Sequence, residues 1–246
     1  MNLSILDSLK ITNWMKKVTN KISYEYWDDL NIGYDNWFKT PFSSYVRQQQ
    51  FKRFQKFTKG CQKYLEIGSG TGEFISKVEC SYKIGIDISE KMIDIGRGRS
   101  PDTQFYVCPS HQLPFEDNSF DCVCMMNVFQ YLESPEETLK ELYRVTMPKG
   151  EILFTVFSKM SLSLNPLRYI LRRKTGEKLP LVNFYNQSQI KKMLYGKDFK
   201  IYGSGIRLPF ESRLLYNLLW GHVQKFEDSH RINPILTAEM VVHVFK

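Results

Sequence analysis

The stretch from Tyr64 to Phe74, Tyr-Leu-Glu-Ile-Gly-Ser-Gly-Thr-Gly-Glu-Phe, limits what this chain can become. A short apolar run meets three glycines at alternate positions, and a polar helix-like start follows. That order reads as a buried strand, a tight turn and the opening of a helix. Glycines at 68, 70 and 72 let the backbone pass close to a ligand, because no Cβ stands in the way. The residues before it read as an added cap, and the following ninety or so as the rest of an α/β nucleotide-type domain.

The rhythm after the turn supports this. Strands are expected at Lys63–Ile67, Lys83–Asp87, Gln104–Cys108, Asp121–Met126 and Glu151–Phe157. Helices are expected between several of them, at Gly72–Glu79, Glu90–Gly96 and Pro135–Thr146. Ser134 and Glu137 have the spacing of a capping box for the last helix, and Met147-Pro-Lys-Gly150 closes it. Alternating strands and helices build a parallel sheet with right-handed crossovers. Upstream, residues 2–21 offer an imperfect helical pattern and Tyr24–Phe42 is dense in aromatics. A helix from Ser43 or Ser44 to about Thr58 carries Tyr45, Gln48, Phe51, Phe54 and Phe57 at steps of three, a stripe read mainly as core. After Phe157 the rhythm breaks. Ser158–Val182 is irregular and basic, Asn186 caps a helix to Tyr195, Phe199–Ile206 is a strand, Leu208–Lys225 is mostly helical, and Ala238–Phe245 is a terminal strand.

The turn's neighbours narrow its ligand. A dinucleotide fingerprint needs glycine at 68, 70 and 73, but position 73 is Glu. Glu66 ends the strand just before the turn and would repel a pyrophosphate. Acidic groups around a glycine turn suit a ligand with positive charge, such as the ammonium and sulfonium of S-adenosylmethionine. Asp87 closes the second strand nineteen residues after Gly68. That is the spacing at which a strand-end carboxylate takes the two ribose hydroxyls in doubly wound folds. The plainer role for Asp87 is to cap the following helix.

Four segments now stand in order: Glu66–Gly72, Gly85-Ile-Asp-Ile-Ser89, Leu113-Pro-Phe-Glu-Asp-Asn-Ser-Phe-Asp121 and Met147–Gly150. Together they resemble the successive motifs of class I S-adenosylmethionine-dependent methyltransferases, most of all the type 11 group, which includes ubiquinone and menaquinone methyltransferases. The likeness covers residues 60–157. It implies that Glu66, Gly68, Ser69, Gly70 and Gly72 hold the methionine part, that Asp87 takes the ribose, and that Ile88 and Met92 lie against adenine. The family's usual Asp for the adenine amino group is replaced by Pro109, so Ser110 or His111 inherits that contact. Asn127, Phe129 and Gln130 would face the methyl group and the acceptor. Tyr34, Trp37 and Phe38 look like the aromatic lid that many members place over the cofactor. The implied product is S-adenosylhomocysteine.

Methyl transfer from a sulfonium is an in-line displacement that needs positioning and dryness more than a fixed triad. A base is needed only if the acceptor must lose a proton, and His111, His222 and His230 are the weak candidates. His243, among Val241, Val242, Val244 and Phe245, reads as packing. Five cysteines show no zinc spacing, so no metal is expected, and reduced buried thiols in a cytoplasmic protein are the plain reading. No run of apolar residues is long enough for a membrane span, and no secretory signal is expected at the start.

Charge is uneven. Residues 1–60 hold 10 Lys/Arg against 5 Asp/Glu, residues 61–157 hold 9 against 15, and residues 158–246 hold 15 against 6. The basic flanks suit anionic partners. Arg168, Arg172, Arg173 and Lys174, interleaved with Leu167, Tyr169, Ile170 and Leu171, are a candidate contact for an anionic membrane surface or an acidic substrate, with a solvated face as the default. The expected partner is a small-molecule methyl acceptor, anionic or lipid-like. An RNA methyltransferase is the alternative raised by a pI near 9.1. It lacks an Asn/Asp-Pro-Pro-aromatic run after the fourth strand and any appended RNA-binding module. A non-catalytic cofactor-binding protein and a nicotinamide-dependent oxidoreductase complete the alternatives. The sequence does not specify the oligomeric state.

The expected architecture is one doubly wound, Rossmann-like α/β domain over residues 60–246, with sheet order 3-2-1-4-5-7-6 and an antiparallel last strand. Residues 1–59 form a helical, aromatic cap, and the variable segments 158–185 and 207–237 cover the substrate.

Overall fold

The computed structural model describes residues 27–29, 41–159, 182–206 and 237–246. The expected helices at 2–21 and Leu208–Lys225, the lid residues Tyr34, Trp37 and Phe38, the basic stretch 167–174, and His222 and His230 all lie outside the described residues.

The chain forms a seven-stranded sheet in the order 3-2-1-4-5-7-6. Its strands are β1 (Lys63–Ile67), β2 (Tyr82–Asp87), β3 (Gln104–Val107), β4 (Phe120–Met125), β5 (Thr146–Phe157), β6 (Asp198–Ile206) and β7 (Thr237–Phe245). The first five pair in parallel, and β7 runs antiparallel between β5 and β6. The helices are α1 (Pro41–Phe57), α2 (Glu90–Arg99), α3 (Pro135–Val145) and α4 (Gln187–Met193).

Alternation along the strands splits the core in two. Leu65, Ile67, Val123, Met125, Ile152 and Phe154 face one side, where Leu142 and Val145 of α3 cover them. Tyr64, Cys122, Cys124, Leu153 and Val241 face the other, where Phe54 and Phe57 of α1 and Ile93 of α2 pack. Both faces are thus dry, which is why these strands read as continuous apolar runs rather than as alternation. The stripe on α1 is partly core, as expected: Phe54 is fully buried and Phe57 nearly so, while Gln48 is exposed.

Three local expectations are corrected. The helix proposed at Gly72–Glu79 is a single 3₁₀ turn at Ile75–Lys77, followed by extended Val78. Gly72 sits at φ +76°, outside helical space, and too few residues then remain before β2 to nucleate an α-helix. Ser134 stands at the N-cap of α3, but its side chain makes no capping bond, and Pro135 at the first position removes one N–H that would need a cap. β5 begins at Thr146 rather than Glu151, so Met147–Gly150 lies within the strand. Lys149 at φ +67° and a register shift between Phe120 and Cys122 mark the irregularity there. The Asn186 cap on α4 is present, and the Asn186 N–H donates in return to the Gln189 side chain.

Candidate functional site

A cavity of about 270 Å³ opens beyond the carboxyl ends of β1, β2 and β4. This is the point where the strand order turns back from β1 to β4, the usual ligand crevice of doubly wound sheets. Its walls carry Gly68, Gly70, Asp87, Ile88, Met92, Ser110, His111 and Asn127, brought together from segments some sixty residues apart.

The glycine turn forms the floor. Ser69 N–H donates to the Ile86 carbonyl at 2.8 Å, which ties the turn to the end of β2. A Cβ on Gly68 would lie 2.1 Å from Val128 Cγ2, so only glycine permits that packing. Gly70 differs. At φ +52°, its missing Cβ would meet nothing within 4 Å among the described residues, although the residue lines the cavity. The backbone is bare at that point toward open space. The Ser69 hydroxyl is buried with no partner among the described residues, an arrangement that costs about 1–3 kcal/mol.

Asp87 lies on the cavity wall at the end of β2. Its Oδ2 accepts from Gly70 N–H at 2.8 Å, and its Oδ1 from Ser89 N–H at 3.0 Å. Helix α2 is capped by Ser89, whose hydroxyl accepts from Met92 N–H, so the capping role does not account for Asp87. Burial pushes the Asp87 carboxyl above its usual range, and the backbone donors pull it back down. Each oxygen still has a lone pair for a hydroxyl.

Beneath the turn, Glu66 is buried and accepts from the Tyr64 hydroxyl at 3.2 Å. Burial raises its pKa to about 8, against the opposing pull of Tyr64 and Arg47. A cation near this carboxyl would favour its ionised form. Glu66, Ser69 and Gly72 lie behind the surface formed by Gly68 and Gly70 rather than on the cavity wall.

At the far end the wall is Cys108, Pro109, Ser110 and His111, with Thr138 and Leu132 opposite. The Ser110 and Thr138 hydroxyls are 3.1 Å apart. Pro109 therefore leaves a polar edge beside it rather than a purely apolar patch. Phe129 is fully buried, stacked on Phe154 at 4.9 Å and edge-on to Tyr185 at 5.2 Å, away from the cavity. Gln130 is also fully buried, and neither polar atom of its amide has a partner among the described residues.

Trp27 and Tyr131 were not singled out as site residues. Both line the cavity, with rings 4.9 Å apart at 74°. The aromatic density of Tyr24–Phe42 contained the signal for Trp27, but nothing in it ranks one ring above another. Helix α1 also reaches the site. Arg47 pairs with Glu73 just past the turn and lies 4.5 Å over the Phe74 ring. His243 is at the opposite end of the sheet, against Glu151 at 2.8 Å and the rings of Phe57 and Phe245. Cys61, Asp121 and Cys122 gather there too, with ligand atoms within 4.8 Å of one another. Asp121 is already engaged, accepting from the N–H groups of Gln62 and Lys63 at 2.9 and 3.0 Å. The five thiols are all free.

Comparison with known proteins gives this geometry a family. Residues 65–154 match the family described as "Methyltransferase domain", of type 11. The ubiquinone/menaquinone biosynthesis C-methyltransferase of Haemophilus ducreyi is 31% identical over 123 residues, covering 43% of this chain and 48% of that protein. The chain thus matches about half the length of that relative. Among solved structures, a methyltransferase of Thermotoga maritima superposes with a TM-score of 0.63 at 19% identity, over 91% of this chain and 99% of the other. A phosphoethanolamine N-methyltransferase of Haemonchus contortus, solved with S-adenosylmethionine, gives 0.62 at 18%, over 94% and 61%. These two likenesses are of fold. The four motifs, the sheet order and the matched segment agree: residues 65–154 of this chain are similar to the class I, type 11, S-adenosylmethionine-dependent methyltransferase domain.

Proposed function

We propose that the cavity binds S-adenosylmethionine and that the chain moves its methyl group to an O, N or C atom of a small molecule, releasing S-adenosylhomocysteine. The observation that carries this reading is that Gly70 and Asp87, joined by a 2.8 Å hydrogen bond from the Gly70 N–H, face the same cavity from the glycine turn and the end of β2. Glu66, Gly68, Ser69, Gly70 and Gly72 form the methionine end, Asp87 takes the ribose, and Ile88 and Met92 flank the adenine. Ser110 and His111 offer the polar edge at Pro109. Trp27 closes the outer side with Tyr131, in the role the sequence suggested for Tyr34, Trp37 and Phe38.

The cofactor supplies an electrophilic methyl carbon. The chain's part is to hold it in line with the acceptor and to keep water out. Asn127, in a left-handed turn at φ +59° after β4, marks the end of the cavity nearest the acceptor. His111 is the one described histidine on the wall, and it is the base for an acceptor that must shed a proton. An anionic or lipid-like acceptor is favoured by the basic balance of residues 158–246, and by the quinone-directed relative at 31% identity. The basic stretch 167–174 extends that proposal to contact with an anionic membrane surface, which flotation with anionic liposomes tests.

The direct test uses isotopically labelled S-adenosylmethionine and a panel of quinols, phosphorylated amines and carboxylates. Label is expected in at least one acceptor with the wild-type chain and at least tenfold less with Asp87→Ala, about 1.4 kcal/mol of transition-state binding. Equal labelling by both proteins would remove Asp87 from the reading.

A further inference from the structure

A buried polar network joins α1 to the cavity wall, and the methyl-transfer chemistry above makes no use of it. Glu239, near the start of β7, is 3% exposed, and Gln50 of α1 is 2% exposed. Gln50 Nε2 donates to Glu239 Oε1 at 2.9 Å and Oε2 at 2.7 Å, and to Asn127 Oδ1 at 2.9 Å. Asn127 in turn donates its backbone N–H to the Thr155 hydroxyl at 2.8 Å. A carboxyl buried this deeply has no packing reason to be there, since an apolar side chain would fill the place without a desolvation cost.

The Asn127 amide has two orientations with one shape. In the first, Oδ1 accepts from Gln50 and Nδ2 donates to Gln50 Oε1 at 3.2 Å. In the second, Nδ2 donates to Glu239 Oε1 at 3.0 Å and Oδ1 accepts from Arg47 at 2.8 Å, but Nδ2 then faces Gln50 Nε2 at 2.9 Å and Oδ1 faces Gln50 Oε1 at 3.2 Å. The first sets two oxygens, Asn127 Oδ1 and Glu239 Oε1, face to face at that 3.0 Å separation, which is attractive only if Glu239 carries a proton between them. The first also sets Nδ2 2.8 Å from the Arg47 guanidinium, whereas the second gives up both Gln50 bonds, so ionisation of Glu239 shifts the balance toward the second.

We propose that Glu239 is a positioning residue for the cofactor site, setting the orientation of the Asn127 amide in the cavity wall directly and through Gln50. This rests on the reading that the cavity takes S-adenosylmethionine. The charged groups acting on Glu239 include Arg47 and Arg53 of α1, both of which favour its ionised form, and its neutral partners include the Gln50 amide and the Thr155 hydroxyl. Glu73 and Glu66 compete for the same Arg47. Burial is the largest influence and brings the Glu239 carboxyl to about 7, so both forms are present near neutral pH.

The test is calorimetric binding of S-adenosylhomocysteine between about pH 6 and about pH 8.5, with wild type and the isosteric Glu239→Gln variant. Wild-type affinity is expected to change at least about threefold across that window, and Glu239→Gln to remove the larger part of the change. The part left by Glu66 stays in both proteins, so the difference between them reports Glu239. A second readout needs no variant to fold: the Asn127 side-chain ¹⁵N resonances of wild type should titrate across the same window, while a merely structural carboxyl would leave them still. Superimposable pH profiles together with static Asn127 resonances would overturn the positioning role while leaving the cofactor reading intact. Absence of binding by wild type at every pH would overturn both.

Discussion

Three glycine substitutions separate ligand space from fold space at this site. Gly70, Gly72 and Gly196 all have positive φ, at +52°, +76° and +77°, so alanine at any of them adds a comparable left-handed strain. That strain is worth about 1–2 kcal/mol of stability. At Gly196, in the turn after α4, the added methyl meets nothing within 4 Å among the described residues, and strain is the effect expected. At Gly72 the methyl lies 3.1 Å from Gly96 Cα and 3.4 Å from Phe105 Cζ, so overpacking adds about 1–3 kcal/mol. At Gly70 the protein again offers no obstacle, but the residue lines the cavity. Gly70→Ala is therefore expected to unfold in urea like Gly196→Ala, Gly72→Ala markedly earlier. In calorimetry with S-adenosylhomocysteine the order differs: Gly196→Ala binds as wild type, whereas Gly70→Ala loses at least about tenfold, or 1.4 kcal/mol. Equal affinities for Gly70→Ala and Gly196→Ala would show that no ligand occupies the space over Gly70.

Other expectations follow from single contacts. Glu66 has its carboxyl raised from 4.5 to about 8. In that window the folded chain holds a proton that the unfolded chain releases, so this group's contribution to stability falls as pH rises through it, by about 1.4 kcal/mol per unit of displacement. Glu66→Gln should flatten that part of the urea midpoint against pH, and an unchanged slope would place the titration elsewhere. Trp27→Ala removes one wall of the cavity and its edge contact with Tyr131, so S-adenosylhomocysteine binding should weaken by about threefold to tenfold with little change in melting temperature. Unchanged affinity would make Trp27 a packing residue only. Phe129→Ala, by contrast, empties a core position against Phe154 and Tyr185 and should cost about 3–5 kcal/mol of stability, read from denaturant midpoints.

Much of the fold was legible because its signals are local. β1 needed only four consecutive buried residues, Tyr64–Ile67, between polar breaks, and the Gly68–Asp87 spacing carried the ligand crevice with it. The last two strands could be placed because Ala238–Phe245 is too apolar to lie anywhere but inside. What escaped reading depends on partners far apart in sequence. Gln50, Asn127 and Glu239 meet across separations of 77 and 189 residues, and no period or motif links them. Arg47 and Glu73 are as invisible for the same reason. Phe129 looked like a site residue because it follows β4, yet the 3₁₀ turn at Phe129–Tyr131 points its ring into the core and brings Tyr131 to the cavity instead. The helix expected at Gly72–Glu79 failed on a backbone angle that the letter Gly permits but does not announce.

The central claim is that this cavity is built for S-adenosylmethionine, with Asp87 reading its ribose. Calorimetric titration of the wild-type chain and of Asp87→Ala with S-adenosylhomocysteine tests it most directly. One site per chain is expected for wild type, weakened at least about tenfold in the variant. No heat from wild type at high protein concentration, or equal affinity in the two proteins, would contradict it.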